Sequence, residues 1–222
     1  MNLDLPDIYN AATTFVDENI AQGRGGKIAI YYQDQTITYQ EVFEKVNRTG
    51  NAFKDLGIEI ENRVLVILPD SPEFAYSFFG AIKIGAVAIP TNPWMFAKDY
   101  EYLINDSRAR AIVVHESTLP EVEKIWDRTP FLKHVVVVGK PKGKALSFES
   151  LTAKASDKLE AAKTTRDDVC FWGYTSGSTG NPKGAVHLQH DMITISDLSV
   201  KPVLKMNEND LCFSASKMFF SY

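Results

Sequence analysis

A ten-residue segment near the end of the chain has the composition of a phosphate-binding loop. It holds three glycines, two serines and two threonines, and its only apolar side chain is a proline ring: Thr175-Ser176-Gly177-Ser178-Thr179-Gly180-Asn181-Pro182-Lys183-Gly184. Glycines let the main chain approach a ligand and adopt positive φ, and successive backbone N–H groups can form a nest for an anion. Lys183 adds a positive charge, so phosphate is the expected ligand. A flexible linker is the competing interpretation, but Lys183 directly follows Pro182 and apolar runs flank both sides.

Two common nucleotide-binding signatures do not fit this segment. The P-loop pattern, counted from Gly177, requires a glycine where Pro182 stands. A dinucleotide fold needs G-x-G-x-x-G at the start of a helix, whereas the residues after the loop have a strand pattern. The loop is therefore expected between two strands, with no helix N-terminus aimed at the phosphate.

Apolar runs of strand length alternate with helix-like segments before and around the loop. The expected strands are Val64–Leu68, Ala86–Ile89, Ile112–His115, Val135–Val138, Val169–Tyr174 and Ala185–Leu188. The expected helices are one that Ser71 caps with Pro72 at its first position, then 97–105, 118–128 and about His190 to Leu204. Uniformly apolar strands separated by helices are typical of a parallel sheet covered on both faces. The sequence predicts an α/β fold, a mainly parallel sheet layered with helices, and a last strand near Leu211.

The beginning of the chain has a different pattern. A helix is expected over 8–21 after a cap at Asp7, and Ile28–Tyr32 should pair with Thr36–Thr38 as a hairpin. The segment Thr38–Glu41 then has the spacing of a capping box, which predicts the start of another helix.

These patterns divide the chain into three parts. Residues 1–60 form a helix-and-hairpin arm, 61–165 an α/β subdomain, and 166–222 the loop hairpin with the start of an incomplete second subdomain. The connector 159–168 is expected on the surface. Because native C-termini are usually polar and frayed, the apolar end at 219–222 indicates a piece of a longer enzyme.

Composition excludes several classes of protein. Lys plus Arg number 24 against 28 Asp plus Glu, a net charge of −4, which argues against a dedicated nucleic-acid binder. Residues 1–6 lack the basic start and apolar core of a signal peptide. The most apolar stretch, 74–90, is interrupted by Ser77 and Lys83 and is too short to span a bilayer. We therefore predict a cytoplasmic protein with no nucleic-acid or membrane partner.

Cysteine and histidine usage predicts no metal site. The two cysteines, Cys170 and Cys212, lie in apolar runs and are expected to be buried free thiols. No CxxC pair is present. His187 and His190 are three residues apart, and a structural or surface pair is the expectation for them rather than metal ligation.

Together, three segments give a specific resemblance. The segment Tyr174–Gly184 resembles the phosphate-binding signature of the adenylate-forming superfamily, which includes acyl-CoA synthetases, luciferases and peptide-synthetase adenylation domains. The segment 37–41, Ile-Thr-Tyr-Gln-Glu, resembles the early L-T-Y-x-E element, and 80–90 resembles the helix-to-strand element that follows it. Phe171-Trp172 and 216–222 look most like benzoate- and other aryl-CoA ligases. The resemblance covers essentially the whole chain.

The resemblance implies an acid–thiol ligase that uses ATP, Mg²⁺ and coenzyme A to convert a small carboxylic acid into an acyl-adenylate and then an acyl-CoA. The phosphates would be held by seven residues: Thr175, Ser176, Gly177, Ser178, Thr179, Gly180 and Lys183. Phe220 and Tyr222 fall where the family has an aromatic wall of the carboxylate pocket, although core packing is an equal interpretation for Phe219 and Phe220.

Several parts of the family's machinery are not in this sequence. The adenine segment, the magnesium-binding glutamate, the ribose-binding aspartate and the catalytic lysine lie later in such chains, so no catalytic or metal residue is expected here. The 222 residues alone should be inactive. A fatty-acyl-CoA synthetase, a carrier-loading adenylation domain and a non-catalytic nucleotide-binding module are the alternatives, and a homodimer is compatible with each.

Overall fold

The computed structural model describes residues 5–175 and 180–220. A seven-stranded sheet has the order β7-β6-β5-β3-β4-β8-β9, and β1-β2 forms a separate hairpin. The strands are β1 Ile28–Tyr32, β2 Gln35–Thr38, β3 Arg63–Ile67, β4 Val87–Pro90, β5 Ala111–His115, β6 His134–Val138, β7 Leu146–Ser147, β8 Val169–Thr175 and β9 Lys183–Leu188. All neighbours in the large sheet are parallel except β8 and β9, which are antiparallel. The predicted α/β fold with a mainly parallel sheet is confirmed.

Helices cover both faces of this sheet. They are α1 Glu18–Ala21, α2 Tyr39–Asp55, α3 Pro72–Lys83, α4 Ala97–Ser107, α5 Leu119–Glu123, α6 Phe148–Lys154, α7 Asp191–Ile195 and α8 Lys201–Leu204. A π-helical segment, Thr13–Asp17, leads into α1, and another, Ser196–Val200, joins α7 to α8. The helices α2, α3 and α6 pack on one face, and α4 and α5 pack on the other.

The alternation of strand side chains explains the two cores. On β3, Val64 and Val66 point to the α2–α3 face, whereas Leu65 and Ile67 point to the α4–α5 face, and all four are fully buried. A strand buried on both sides needs apolar residues at every position rather than at every second one. This is why the apolar runs in the sequence predicted these strands well.

Two local features fix the start of α2 and its packing on α3. Thr38 and Glu41 form the predicted capping box at the start of α2. Further along α2, Gly50 lies against Gly80 of α3, and a Cβ built on Gly80 would stand 3.1 Å from the Gly50 nitrogen. Glycine at both positions therefore lets the two helix backbones approach each other.

A buried lysine joins three helical segments. Lys83 is fully buried, and its Nζ donates to Asp17 Oδ1 at 2.5 Å and to Asn47 Oδ1 at 2.7 Å. Burial lowers the pKa of Lys83, partly opposed by its hydrogen bond with Asp17, and burial also raises the pKa of Asp17. A charge in this position requires partners, because an unpaired buried ion is strongly unfavourable.

Four local predictions are wrong. No strand forms near Leu211, because the described part of 205–220 has no ladder partner, and for the same reason Cys212 is exposed whereas Cys170 is buried. Ser71 makes no side-chain cap hydrogen bond, although Pro72 does begin α3. Asp7 does not cap a helix, since the next residue, Ile8, forms an isolated bridge with Thr165 and is 57% exposed.

One feature was absent from the sequence prediction, and one further prediction was only partly right. The strand β7 extends the sheet beyond β6 and leads into helix α6, whose cap is the Ser147 hydroxyl, which accepts from Ser150 N. The connector 159–168 is not wholly superficial, because Thr164 is buried and its hydroxyl donates to Tyr9 O at 2.7 Å. Among the described residues, no helix is long and apolar enough to cross a membrane.

Candidate functional site

A crevice is expected where the sheet connections diverge. After β3 the chain turns to α3 on one face, whereas after the neighbouring β4 it turns to α4 on the other face. Ligands of open α/β sheets bind outside the carboxyl ends of the strands at such a switch point. The residues that follow these two strands, Asp70 after β3 and Thr91 and Asn92 after β4, lie at that edge.

The stems of the glycine-rich loop stand at the same edge. Thr175 is the last residue of β8 and pairs with Lys183, the first residue of β9. Both side chains are exposed, and the Thr175 hydroxyl lies 3.4 Å from Lys183 O. Gly180 has φ of +117° with open space around a built Cβ, a backbone conformation that favours glycine.

The middle of the loop lies outside the described residues. Ser176, Gly177, Ser178 and Thr179, four of the seven predicted phosphate ligands, fall there, as does Tyr222. The structure brings together the three predicted phosphate ligands that it describes, which sit on or next to the two stems.

Two cavities meet beside these stems. The first encloses about 360 Å³ and the second about 300 Å³. Pro90, Phe219 and Phe220 line both of them. The second cavity is also bordered by Thr175 and Pro182, so it opens onto the loop. A ligand lying across the Phe219–Phe220 pair would therefore have one end in the first cavity and the other at the loop.

The first cavity has aromatic walls. The Phe171 and His187 rings stack at 4.4 Å with an interplanar angle of 8°, and Phe78 meets Phe171 edge to face at 5.6 Å. Other lining residues are Phe74, Ala75, Phe79, Met192, Ile195 and Met218. Asp191 supplies the carboxylate of this wall, which accepts from Leu188 N at 3.1 Å and lies 3.2 Å from His187 Nδ1. The cavity suits a flat apolar group, because aromatic rings pack favourably on one another.

The C-terminal segment is fixed over this edge by Asp70. Met218 N donates to Asp70 Oδ1 at 3.0 Å, and Lys217 Nζ lies 3.4 Å from Asp70 Oδ2. Phe219 packs on Trp94 and on Phe220, with ring centroids 6.0 and 4.4 Å apart. Phe220 thus lines both cavities, and it is 45% exposed.

Sequence reasoning missed two site-edge residues on α4. Tyr102 Oη donates to Pro182 O at 3.0 Å, and Tyr174 Oη donates to Asp106 Oδ2 at 2.6 Å. Burial, and then the carboxylate of Asp106, raise the pKa of both phenols, Tyr174 strongly, so both hydroxyls keep their protons. A tyrosine and an aspartate four apart on a helix share a face, but only the packing of α4 against the loop shows their partners.

The described residues fit phosphate better than metal. Backbone groups and a lysine at the ends of a strand pair can hold anionic oxygens. Among residues 5–175 and 180–220, no group of three His, Cys, Asp or Glu side chains could hold a metal ion, and His187 and His190 instead contact Asp191. No ligand of Mg²⁺ is assigned in this part of the chain.

A mainly parallel sheet with a glycine-rich hairpin loop and an apolar cavity at the carboxyl edge of its strands is typical of α/β domains that bind small molecules. The sequence profile of the AMP-binding enzyme family matches residues 17–222, and the chain belongs to this family. The resemblance to adenylate-forming enzymes is thereby confirmed.

Similar proteins point in the same direction. The chain is 42% identical over 222 residues to a benzoate–CoA ligase of Thauera aromatica, covering 99% of this chain and 42% of that protein. It is 36% identical to a 4-hydroxybenzoate–CoA/benzoate–CoA ligase of Rhodopseudomonas palustris, covering 96% of this chain and 40% of that protein. The solved anthranilate CoA ligase AuaEII, in complex with anthranoyl-AMP, superposes with a TM-score of 0.94 at 38% identity, covering 98% of this chain and 42% of that one. This chain thus spans about two fifths of the length of these relatives.

Proposed function

We propose that this chain is part of an ATP-dependent acid–CoA ligase that acts on benzoate or a related aryl acid. The observation that carries the proposal is that two cavities meet at Phe219 and Phe220. One cavity has aromatic walls, and the other is bordered by the stems of the glycine-rich loop. That arrangement suits a substrate whose ring and carboxylate must lie beside a nucleotide's phosphates. The relatives named above are aryl acid–CoA ligases.

The loop would hold the phosphates of ATP. The proposed ligands are Thr175, Ser176, Gly177, Ser178, Thr179, Gly180 and Lys183. Their hydroxyl and N–H groups donate to phosphate oxygens, and Lys183 neutralises charge. Such bonds to an anion are stronger than neutral hydrogen bonds. The antiparallel pairing of Thr175 with Lys183 supports this role, because it holds a hydroxyl and an ammonium group at one site.

The proposed chemistry has two steps. A carboxylate oxygen of the acid attacks the α-phosphorus of ATP, and the bond from that phosphorus to the β-phosphate oxygen breaks, which releases pyrophosphate. The thiol of coenzyme A then attacks the acyl carbon, and AMP leaves. Bringing an anion to a polyanion is costly unless donors stabilise the phosphates. This stabilisation is the contribution we assign to the loop. Mg²⁺, when bound, would add to that neutralisation.

The size and lining of the first cavity favour an aryl acid. Small-molecule pockets span about 300 to 1,000 Å³, so a cavity of about 360 Å³ suits a compact acid better than a long acyl chain. Stacked rings at Phe171 and His187 offer a flat wall for an aromatic substrate. We propose that Phe220 and Tyr222 complete that wall. Since ATP and coenzyme A are the co-substrates, we propose that the reaction occurs in the cytoplasm.

A pyrophosphate-exchange screen of the full-length protein tests this function. The acids would be benzoate, hydroxy- and aminobenzoates, cyclohexane carboxylates and fatty acids, each with and without coenzyme A. We expect exchange with the aromatic acids, and acyl-CoA formation only when coenzyme A is present. Exchange with fatty acids alone would overturn the aryl assignment. Adenylation without transfer to coenzyme A would point to a carrier-loading enzyme, and nucleotide binding without exchange would point to a non-catalytic module.

A further inference from the structure

Helix α4 contacts both stems of the glycine-rich loop. Tyr174, whose hydroxyl binds Asp106, immediately precedes Thr175. Pro182, whose carbonyl accepts from Tyr102, immediately precedes Lys183. The two α4 side chains are four residues apart and therefore on the same face of the helix. Helix α4 is thus hydrogen-bonded to Tyr174 and to Pro182, the residues that directly precede Thr175 and Lys183.

The helix itself is firmly placed in the core. Tyr100, Leu103 and Ile104 are at most 2% exposed and pack on the sheet. The Tyr100 hydroxyl donates to Asn92 O at 3.0 Å and accepts from Met95 N at 3.2 Å, which ties the start of α4 to the turn after β4. Because α4 is fixed on the sheet, Tyr102 and Asp106 on its outer side can hold the loop stems in a fixed position relative to the sheet.

We propose that Tyr102 and Asp106 are positioning residues that fix the spacing of the two loop stems, and so the placement of Thr175 and Lys183 around the β- and γ-phosphates. This inference rests on the proposed function. The β8–β9 ladder already aligns the stems along the sheet, but the hairpin is at the sheet's edge and has β4 on one side only. The α4 hydrogen bonds hold it from outside the sheet plane. Donors held in place before the reaction stabilise developing charge without reorganising.

The partners of the two α4 hydrogen bonds support a positioning role for Tyr102 and Asp106 rather than direct contact with a ligand. Asp106 is acidic and would repel a polyphosphate if it faced it, but its Oδ2 accepts from Tyr174 at 2.6 Å. The Tyr102 hydroxyl likewise points to a backbone carbonyl. Both side chains therefore act through the loop backbone and through Tyr174.

The test uses the full-length protein and four single variants. Tyr102→Phe and Asp106→Ala each remove one bond, whereas Asp106→Asn keeps an oxygen that can accept from Tyr174. Tyr9→Phe is the matched control, because it removes a tyrosine hydroxyl that binds Thr14 Oγ1 at 3.1 Å, away from the loop. Titration calorimetry with ATP and with AMP, single-turnover adenylate formation, thiol transfer from a pre-formed acyl-adenylate and melting temperature are measured for each variant.

We expect Tyr102→Phe and Asp106→Ala to weaken ATP binding and slow adenylate formation about 5- to 50-fold, a loss typical of displaced charge-assisted bonds. AMP binding and thiol transfer, which involve no β- or γ-phosphate, should change less than about 2-fold, and Asp106→Asn should recover most of the loss. Tyr9→Phe should match the wild type in every nucleotide measurement.

Three results would overturn the inference. These are unchanged ATP binding in both variants, equal losses for ATP and AMP together with a lower melting temperature, and a wild type that binds ATP no better than AMP. A wild type that binds ATP better than AMP but exchanges no pyrophosphate with any acid would overturn the proposed ligase alone. In that case the ATP and AMP titrations of the variants still decide whether Tyr102 and Asp106 position the loop.

Discussion

The parallel strands β6, β5, β3 and β4 and the β8–β9 hairpin belong to the same sheet but differ in their surroundings. Val64 to Ile67 of β3 are fully buried, with helices on both faces. On β9, Val186 is 51% exposed, and the strand begins at the exposed Lys183. The parallel part is the scaffold, and the antiparallel hairpin carries the groups that could meet a ligand. Substitutions in the first region should therefore change folding, and those in the second should change chemistry.

The largest effect is expected from Lys183→Ala in the full-length protein, if it has the proposed ligase activity. If Lys183 meets the β- and γ-phosphates as charge redistributes, adenylate formation should slow about 10- to 1,000-fold, or about 1.4 to 4 kcal/mol. Thiol transfer from a pre-formed acyl-adenylate, and the melting temperature, should hardly change. Single-turnover assays of both half-reactions check this. Lys142→Ala, an exposed lysine of the β6–β7 connection, is the control.

Equal slowing of both half-reactions, with a lower melting temperature, would contradict the assignment of Lys183 to the site. Such a result would mean that the start of β9 serves folding, as the parallel strands do, and that the two regions do not differ in role. The same outcome for Thr179→Ala would extend that conclusion to the loop itself.

The next effect in size concerns Lys83. Lys83→Met leaves the buried amide oxygen of Asn47 and the Asp17 carboxylate without their shared donor, so we expect a loss of about 3 kcal/mol in the free energy of unfolding. Chemical denaturation at neutral pH measures this. The double variant Asp17→Leu/Lys83→Met should recover part of the loss, because it removes both charges. A single variant as stable as the wild type would show that the buried pair contributes nothing.

Lys83 also predicts a pH dependence. Burial lowers its pKa in the folded protein below the ordinary value of 10.5. At pH values between the lowered pKa of the folded protein and 10.5, Lys83 is deprotonated in the folded protein and protonated in the unfolded chain. The free energy of unfolding therefore rises with pH in this window. We expect the stability of the wild type, relative to Lys83→Met, to increase as the pH rises towards 10.5. A relative stability that falls over this window would reverse the sign of the shift.

One substitution made in both regions sharpens the comparison directly. Val66→Thr buries a hydroxyl in the scaffold and should cost about 2 kcal/mol in the free energy of unfolding. Val186→Thr places the same hydroxyl in solvent and should change stability by less than about 0.5 kcal/mol. Urea denaturation of both variants measures the difference. Equal costs at the two sites would mean that β9 is covered as fully as β3.

The smallest effect is expected at the crossing of α2 and α3. Gly80→Ala places a Cβ 3.1 Å from the Gly50 nitrogen and from Thr49 Cβ, so we expect a cost of about 1 to 2 kcal/mol after the helix propensity of alanine is included. Thermal unfolding measures it. Gly26→Ala, which meets nothing within 4 Å, is the control and should be near neutral. A stabilised Gly80→Ala variant would show that the helices can separate without loss.

The scaffold could be predicted from the sequence because its signals are local. Continuous apolar runs such as 64–68 define strands buried on both faces, and Thr38–Glu41 marks a helix start by two side chains only three residues apart. The strand β7 was missed because it has two residues, Leu146 and Ser147, which is too short for any pattern. The strand near Leu211 was wrong because a ladder requires a partner, which an apolar run cannot specify.

The site could be predicted only in part. The composition of 175–184 indicates phosphate on its own, since few other ligands use so many glycines, hydroxyls and a lysine together. Tyr102 and Asp106 carry no such signal, because their partners lie 80 and 68 residues away along the chain. The aromatic cavity is likewise assembled from α3, β4, β8, β9, α7 and the C-terminal segment. Such tertiary assemblies appear only once the sheet order is known.

The position of β9 also affects how the 222-residue chain should be handled. Within the described ranges 5–175 and 180–220, β9 pairs with β8 alone, so its other side presents unpaired N–H and C=O groups. An unprotected edge of this kind can template another strand and lead to aggregation. Lys183 places a charged group at the start of this strand, which is a common natural defence, whereas Val186 is apolar and exposed. Expressed alone, the chain should show concentration-dependent turbidity that Val186→Lys suppresses.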